Sequence, residues 1–321
     1  MRVFRGFRHP GLAPHCALTI GNFDGVHRGH QAMLALLTNE ARHRGLTSCV
    51  MTFEPHPRDH FAALANKPDA APRRIATLRD KLSELESCGI EQLVVLRFDQ
   101  RLATLSPEAF IDDVLMRGVR ARYALVGDDF RFGAKRAGDY TMLDAAGDAK
   151  GFDVARMLSY EVHGTRVSSS AVRAALAAGD MDLAAALLGR PYSISGHVQH
   201  GLKLGRELGF PTMNLRFGHP RPAAMGIFVV RVHGLDSQPL DGVANFGTRP
   251  TVDDAGRVLL EVHCLHWPAH LGGDAAYGKL VRVDLLAKLH DELRYPSLEA
   301  LRDGIAADVG QARRWFAAHP T

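Results

Sequence analysis

The chain has 321 residues, 46% of them apolar and 23% charged, with a formal net charge of +4 when histidine is counted as neutral. That length favours two domains, and the composition excludes a disordered or low-complexity chain. The small positive balance is too weak to point to nucleic acid and suits anionic small molecules such as nucleotides. The basic start MRVFRGFRHPG is not followed by the apolar core and cleavage site of a signal peptide. No run approaches the roughly 18 apolar residues of a membrane span, so a cytoplasmic location is expected. Cys16, Cys49, Cys88 and Cys264 lack CxxC spacing, and three of them sit in apolar segments. Neither disulfides nor zinc are expected.

The first element is a strand, CALTI (16–20), followed by the glycine-rich GNFDGVHRGHQ (21–31) and a helix over 31–45 that closes on Gly45. LTSCVMTF (46–53) reads as a buried strand, 73–89 as an amphipathic helix ending on Gly89, and EQLVVLRF (91–98) as another strand. SPEAFIDDVLMRG (106–118) opens with a serine cap and a proline in the first helical position, and YALVG (123–127) is a fourth strand. Strands alternating with helices imply a doubly wound parallel sheet. Ligands of such sheets bind beyond the carboxyl ends of the strands, where 21–31 and GDDFRFG (127–133) both fall.

After residues 168–192 the texture changes to short strands with glycine and proline between them. Residues 192–199, 226–234, 258–266 and 279–289 have the spacing of an antiparallel barrel or sandwich, and 297–319 returns to a long helix. The seam is placed near Gly189–Pro191, giving an α/β domain of 1–186 and a small β-barrel domain of 187–321.

The mouth of a helix offers four unpaired amides and a partial positive charge, and therefore suits phosphate. In 21–31, Gly21, Gly25 and Gly29 let the backbone approach a ligand, and His27 and His30 would face one phosphate group and donate to charge developing on it. The alternatives are a zinc site, which lacks further ligands at usable spacing, and a surface histidine pair without a role. Ser168, Ser169 and Ser170 precede a helix, where serines are good caps in any case. Arg173 is read as a first-turn guanidinium opposing the helix dipole, which calls for an anion. The PHP of 55–57 is read as a stiff extended segment, more often a turn than a site.

In HVQHGLKLGRELGFPTMNL (197–215), Gly201, Gly205 and Gly209 alternate with Lys203 and Arg206. Such a loop either cradles a triphosphate or is a solvated hairpin. Thr212 and Asn214 alternate on a strand and offer two neutral oxygens to a hard cation such as Mg²⁺. GDAAYGKL (273–280) matches the start of a P-loop, but it lacks the following Ser/Thr and runs into a strand pattern, which rules it out. Glu261 lies in an otherwise apolar strand with Leu260 and Val262 pointing oppositely, so it is either solvent-facing or functional.

GNFDGVHRGH, FEPHPR (53–58), VGDDFRFG (126–133) and VSSSAVR (167–173) together resemble the adenylyltransferase half of bacterial bifunctional riboflavin kinase/FMN adenylyltransferases. The glycine-rich loop, PTxN at 211–214, ANFGTRPT (244–251) and the strand glutamate are similar to the riboflavin kinase module of the same family. The resemblance implies that riboflavin, FMN and ATP are the substrates, that FMN and FAD are products, that Mg²⁺ accompanies ATP, and that neither nucleic acid nor membrane is a partner. It implies that Gly21, Asn22, Phe23, Asp24, Gly25, His27 and His30 bind the adenylyltransferase nucleotide, with Ser168, Ser169, Ser170 and Arg173 on the other side of the triphosphate. His56, Pro57, Asp129 and Phe132 would line the flavin site. In the kinase half, Gly201, Lys203, Gly205, Arg206, Gly209, Phe210, Pro211 and Asn245 would hold the nucleotide, Thr212 and Asn214 the Mg²⁺, and Glu261 would be the base.

Two positions depart from the family pattern. His266-Trp267 stands where an Asp-Phe pair is usual, followed by the insertion-like PAHLGGDAA, and His290 replaces an arginine before Asp291-Glu292. Weaker flavin binding or an altered pH dependence is the expected consequence. The rival reading is a nucleotidyltransferase for another phosphorylated substrate with a non-catalytic barrel. An RNA-binding barrel is disfavoured because the second half has no aromatic-and-basic stripe.

Overall fold

A computed structural model describes residues 1–158, 160–162, 164–201, 204–248 and 258–320. The chain forms two compact units, one of residues 1–72 and 81–167, the other of residues 73–80 and 168–321.

In the first unit six strands, β1 (Arg2–Arg5), β2 (Cys16–Ile20), β3 (Thr47–Glu54), β4 (Gln92–Arg97), β5 (Ala121–Gly127) and β6 (Asp153–Met157), form a parallel sheet in the order β1-β4-β3-β2-β5-β6. The connections carry α1 (Arg28–His43), α2 (Pro57–Leu64), α3 (Leu78–Ser87), α4 (Gln100–Ala103), α5 (Pro107–Ala109), which runs on as a π-helical stretch over Phe110–Met116, and α6 (Tyr140–Lys150). A hairpin of β7 (Glu161–Val162) and β8 (Thr165–Arg166) ends the unit. Successive residues of a central strand feed separate cores. Leu18, Met51, Val94 and Ala124 pack in one, while Ala17, Val50, Leu93 and Leu125 pack in the other. A strand covered on both faces must be apolar at every position, which is why CALTI lacks alternation. From β2 the chain builds toward β3 and β4, then crosses to β5 and β6 on the other side, so the order reverses between β2 and β5. The loops leaving those two strands flank the crevice that such a reversal creates.

The helix expected over 73–89 begins only at Leu78. Arg74 is held in extended pairing instead, its N–H donating to Arg221 O at 2.7 Å and its carbonyl accepting from Ala223 N at 2.9 Å. Five strands, β1, β6, β7, β8 and the Leu240–Thr248 strand of the second unit, lacked a readable pattern.

The second unit contains α7 (Ser169–Ala178), α8 (Met181–Leu188), β9 (Tyr192–His197), α9 (Leu204–Glu207), β10 (Met213–Phe217), β11 (Gly226–His233), β12 (Leu240–Thr248), β13 (Val258–Cys264), β14 (Leu280–His290) and α10 (Leu298–Ala318). Its strands pair antiparallel in the order β10-β13-β12-β11-β14-β9, and a bridge between Gln199 and Asn214 brings the two ends together into a nearly closed barrel. Val258, Leu260 and Val262 alternate into the interior with Phe228 and Phe246. Val309 and Ala312 of α10 cover Val229 and Val243 on the outside. Gly278, at φ 75°, turns the chain into β14, so the GxxxxGK match leads into a strand. The four cysteines are free thiols, and among the described residues no helix is long and apolar enough to cross a membrane.

Candidate functional sites

Gly21 N–H still pairs with Met51 O at 3.0 Å, and Asn22 O accepts from Thr52 Oγ1 at 3.2 Å, so the loop after β2 starts anchored to β3. It then reverses through Phe23 (φ 48°), Gly25 (φ 86°) and Val26 (φ 40°). A left-handed β-branched valine is costly and persists only where packing enforces it. Here Phe23 and Val26 are 1% and 0% exposed. The reversal delivers His27 to the N-cap of α1, where its Nδ1 accepts from His30 N–H at 3.3 Å. An Nδ1 that accepts leaves the proton of a neutral imidazole on Nε2, so His27 donates through that nitrogen. The His30 ring stacks on His27 with centroids 3.6 Å apart and planes 14° from parallel, and Phe23 backs it at 4.9 Å.

At two of these positions a side chain would press on a neighbouring ring. A Cβ on Gly29 would lie 3.3 Å from His27 Nδ1, and one on Gly21 would lie 3.0 Å from the Phe23 ring. The first turn of α1 carries no acidic side chain to offset the helix end. Asp24 and His27 are buried at 1% and 5% exposure, and Asn22 Oδ1 is buried with no hydrogen-bond partner among the described residues. A helix mouth with two stacked imidazoles and buried polar groups differs from a solvated histidine pair. Such a mouth, with its first-turn amides and partial positive charge, suits an anion.

His56 follows β3 as the N-cap of α2, its Nδ1 accepting from Arg58 N–H at 3.1 Å, with Pro57 in the first helical position. The expected extended turn is therefore a helix start, because a proline whose N–H is missing costs nothing there. Asp129 is exposed just beyond the end of β5. Phe132 instead packs in the core, 5.6 Å from Phe110 and 5.5 Å from Phe130. Sequence reasoning passed over an aromatic group on this edge of the sheet: Phe98, after β4, meets Phe53, His60 and Phe61 at centroid distances of 5.8, 5.6 and 5.7 Å. Phe53 and Phe98 each close a predicted strand, which was the available signal.

In the second unit Ser168 caps α7, its Oγ accepting from Ala171 N–H at 3.2 Å, and Ser169 and Ser170 are the first two helical residues. Arg173 is consequently the fifth residue, in the second turn and not the first. Its Nε donates to Arg73 O at 2.6 Å, so the argument from an opposed helix dipole does not hold.

The barrel gathers most of the remaining candidates. Phe210 N–H donates to Gly205 O at 2.7 Å, Gly209 has φ 88°, and a Cβ on Gly201 would sit 2.5 Å from Asn214 Nδ2. Arg206 pairs with Asp274 at 2.9 Å, while Lys203 lies outside the described residues. Phe210 packs edge-on against His263 at 5.5 Å, and His263 Nδ1 donates to Pro211 O at 3.0 Å. Burial lowers the His263 pKa, with Arg313 adding to the effect. Thr212 immediately precedes β10.

Strand register then aligns three polar residues on the outer face: Glu261 pairs with Asn214 on one side and Asn245 on the other. Directly paired residues share a face of an antiparallel sheet. That face is not open solvent, since Glu261 is half-buried and Asn214 is only 6% exposed. The Oδ1 atoms of Asn214 and Asn245 are both buried without a hydrogen-bond partner among the described residues. Glu292, which sequence reasoning noted only as part of Asp291-Glu292, sets its carboxylate directly against Gly247 of β12, where a Cβ would collide with it. Burial, and then the charge of Glu261, raise its pKa. Orphaned amide oxygens beside a carboxylate form an all-oxygen donor set that fits a hard cation.

Of the departures from the family pattern, His266 is exposed and Trp267 Nε1 donates to Leu271 O at 3.1 Å. His290 bridges β14 to α10, with Nε2 2.8 Å from Asp308 Oδ1 and Nδ1 2.7 Å from Asp291 O. Two acceptors call for two N–H donors, the imidazolium form. Burial works against that charge, but the Asp308 and Asp291 hydrogen bonds outweigh it and the pKa is raised. A histidine whose pKa is raised by folding stabilises fully below its unfolded value of about 6.5, and that stability is lost as pH rises through the folded value. Thermal melts should therefore show His290→Gln less stable than the parent at pH 6, with the gap narrowing by pH 9. A gap that stays constant would refute the ionic role.

Residues 10–171 match the family model described as FAD synthetase, and residues 188–316 match the one described as riboflavin kinase. The chain is 46% identical over 319 residues to the bifunctional riboflavin kinase/FMN adenylyltransferase of Escherichia coli (strain K12), covering 98% of both chains. It is 45% identical over 316 residues to the protein of that name from Pseudomonas fluorescens, covering 98% of this chain and 97% of the other. A crystal structure described as a macrolide-efflux protein from Streptococcus pneumoniae superimposes with a TM-score of 0.75 at 26% identity, covering 98% of this chain and 99% of that one. With both catalytic families matched in order along one chain, the protein belongs to the bifunctional riboflavin kinase/FMN adenylyltransferase family.

Proposed function

We propose that the two activities of this family divide between residues 187–321, where riboflavin and ATP give FMN and ADP, and residues 1–186, where FMN and ATP give FAD and pyrophosphate. The observation that carries the kinase assignment is the alignment of Glu261 between two buried, unsatisfied amide oxygens. Glu261 removes the proton of the ribityl 5′-hydroxyl as that oxygen attacks the γ-phosphorus and ADP departs, a type of help worth about 10²–10⁴-fold. Thr212 and Asn214 would hold Mg²⁺, which supplies charge neutralisation on the ATP phosphates when bound. The glycine loop, with Gly201, Gly205, Gly209, Arg206, Phe210 and Pro211, surrounds the nucleotide.

In the adenylyltransferase, an FMN phosphate oxygen attacks the α-phosphorus of ATP and pyrophosphate leaves. His27 and His30 donate to the charge that builds on the phosphates, from a helix mouth already favourable to anions. His56, Pro57 and Asp129 border the flavin, near the aromatic group that Phe61 of α2 forms with Phe98 after β4. The cytoplasm, where riboflavin and ATP are available, is the inferred place of action.

Incubation with riboflavin and Mg-ATP, followed by chromatographic separation of the flavins, tests the reading. FMN should appear first and FAD after it. Recovery of riboflavin alone would overturn the proposal.

A further inference from the structure

GDAAYGKL (273–280) is no P-loop, and the chemistry of the two sites leaves both it and the insertion-like PAHLGGDAA without a task. In the second unit they lie alongside the glycine-rich loop that follows β9, joined to it through backbone, rings and charges. On the backbone, Gly278 N–H donates to Val198 O at 2.9 Å and Val198 N–H to Lys279 O at 3.0 Å, one step beyond the His197–Leu280 pair that ends the β9–β14 ladder. His197 Nδ1 adds a hydrogen bond of 2.8 Å to Gly278 O. Farther along, the His200 ring stacks on Tyr277 with centroids 3.9 Å apart and planes 29° from parallel. Arg206 Nη2 then donates to Asp274 Oδ1 at 2.9 Å.

The two segments differ in their own stiffness. Residues 272–279 form successive turns, in which Ala275 N–H donates to Gly272 O, Tyr277 N–H to Asp274 O and Lys279 N–H to Ala276 O, at 3.0, 3.2 and 3.1 Å. Ala276 is buried. The other segment carries Gly201, Gly205 and Gly209, and each glycine adds backbone freedom that is given up when a ligand is bound. Arg206 adds the rotamer freedom of a long side chain. A loop fastened in advance to a set of turns gives up less of that freedom at the moment of binding. An arginine carries five N–H donors, so a guanidinium held by Asp274 through one nitrogen still has donors for a phosphate oxygen.

We infer that the 274–278 turn is a splint for the nucleotide loop of the riboflavin kinase site, in which Asp274 orients the Arg206 guanidinium and Tyr277 holds the chain at His200, so that the loop meets the triphosphate of ATP already in shape. Asp274 and Tyr277 are thus positioning residues. A carboxylate that only competed with phosphate for Arg206 would act in the opposite sense, so the sign of the change in ATP affinity separates a splint from a brake. The inference rests on the reading that this loop holds ATP, and its test distinguishes the two claims.

The experiment measures riboflavin phosphorylation by the full-length chain, with ATP and riboflavin varied in turn. Asp274→Asn, which keeps the size and removes the charge, should raise KM for ATP by about 5-fold, on the scale of ordering one rotamer-rich side chain. Its kcat and its KM for riboflavin should be unchanged. In an Arg206→Ala background, where KM for ATP is already raised, Asp274→Asn should add nothing. Tyr277→Leu should raise KM for ATP in the same way, and Tyr277→Phe, which keeps a ring for His200, should restore the parental value. The value of kcat at saturating ATP reports whether each variant is folded. An unchanged or lowered KM for ATP in Asp274→Asn, multiplying losses in the double variant, a Tyr277→Phe as impaired as Tyr277→Leu, or losses that fall on kcat would overturn the inference. Arg206→Ala with a parental KM for ATP would remove the reading of the loop and this inference with it, whereas an impaired Arg206→Ala beside a neutral Asp274→Asn would remove only the inference.

Discussion

His30→Ala should reduce FAD formation from supplied FMN by about 10²–10³-fold, the cost of removing one donor from a site where charge develops, while leaving FMN formation from riboflavin unchanged. The structure makes this substitution unusually clean. The cap of α1 uses the backbone N–H of His30 and the side chain of His27, so deleting the His30 ring leaves the cap intact. What is lost is the ring stacked 3.6 Å from His27 and backed by Phe23. His27→Ala is a worse probe, because it removes the cap as well and would cost roughly 1 kcal/mol of stability for that reason alone. Quantifying FAD by chromatography decides the matter. An unaltered rate of FAD synthesis would show that the imidazole plays no part at the phosphates.

Glu261→Gln should lower riboflavin phosphorylation by at least about 10²-fold with riboflavin affinity little changed, because glutamine keeps the shape and the hydrogen-bonding reach but cannot take the proton. Adenylylation of supplied FMN should be untouched. A solvent-facing glutamate would tolerate the change within about 0.5 kcal/mol of stability and with near-normal turnover. The location of Glu261 between Asn214 and Asn245, on a face partly covered, argues for the larger effect.

The strand CALTI was readable residue for residue, since a buried parallel strand followed by a glycine turn and an amphipathic helix leaves little ambiguity. That His27 would be a helix cap was not readable, because it depends on left-handed backbone at Phe23 and Val26, residue types that give no hint of it. Three consecutive serines could each have capped α7; choosing among them sets the turn in which Arg173 falls, and the choice made by the fold is Ser168. Alternation correctly placed Glu261 opposite Leu260 and Val262. Whether that outer face met water was decided by segments distant in sequence, α10 over β11 and β12 and Phe210 against His263. β12 escaped notice because LDGVANFGT carries two glycines and no clear alternation, and with it went the register that brings Asn245 to Glu261. Local signals thus revealed most of the elements and both glycine-rich loops, while the polar row on the barrel required long-range pairing.

The central claim is that one chain holds two chemically independent sites, the FMN made at one being a substrate of the other. Mixing His30→Ala with Glu261→Gln, and supplying riboflavin and Mg-ATP, tests it most directly. Each variant alone should yield no more than traces of FAD, the first stopping at FMN and the second leaving riboflavin largely unconverted. The mixture should convert riboflavin to FAD, with FMN made by the first variant and adenylylated by the second. Failure of the mixture to form FAD, or loss of both activities in either single variant, would contradict the division into two sites.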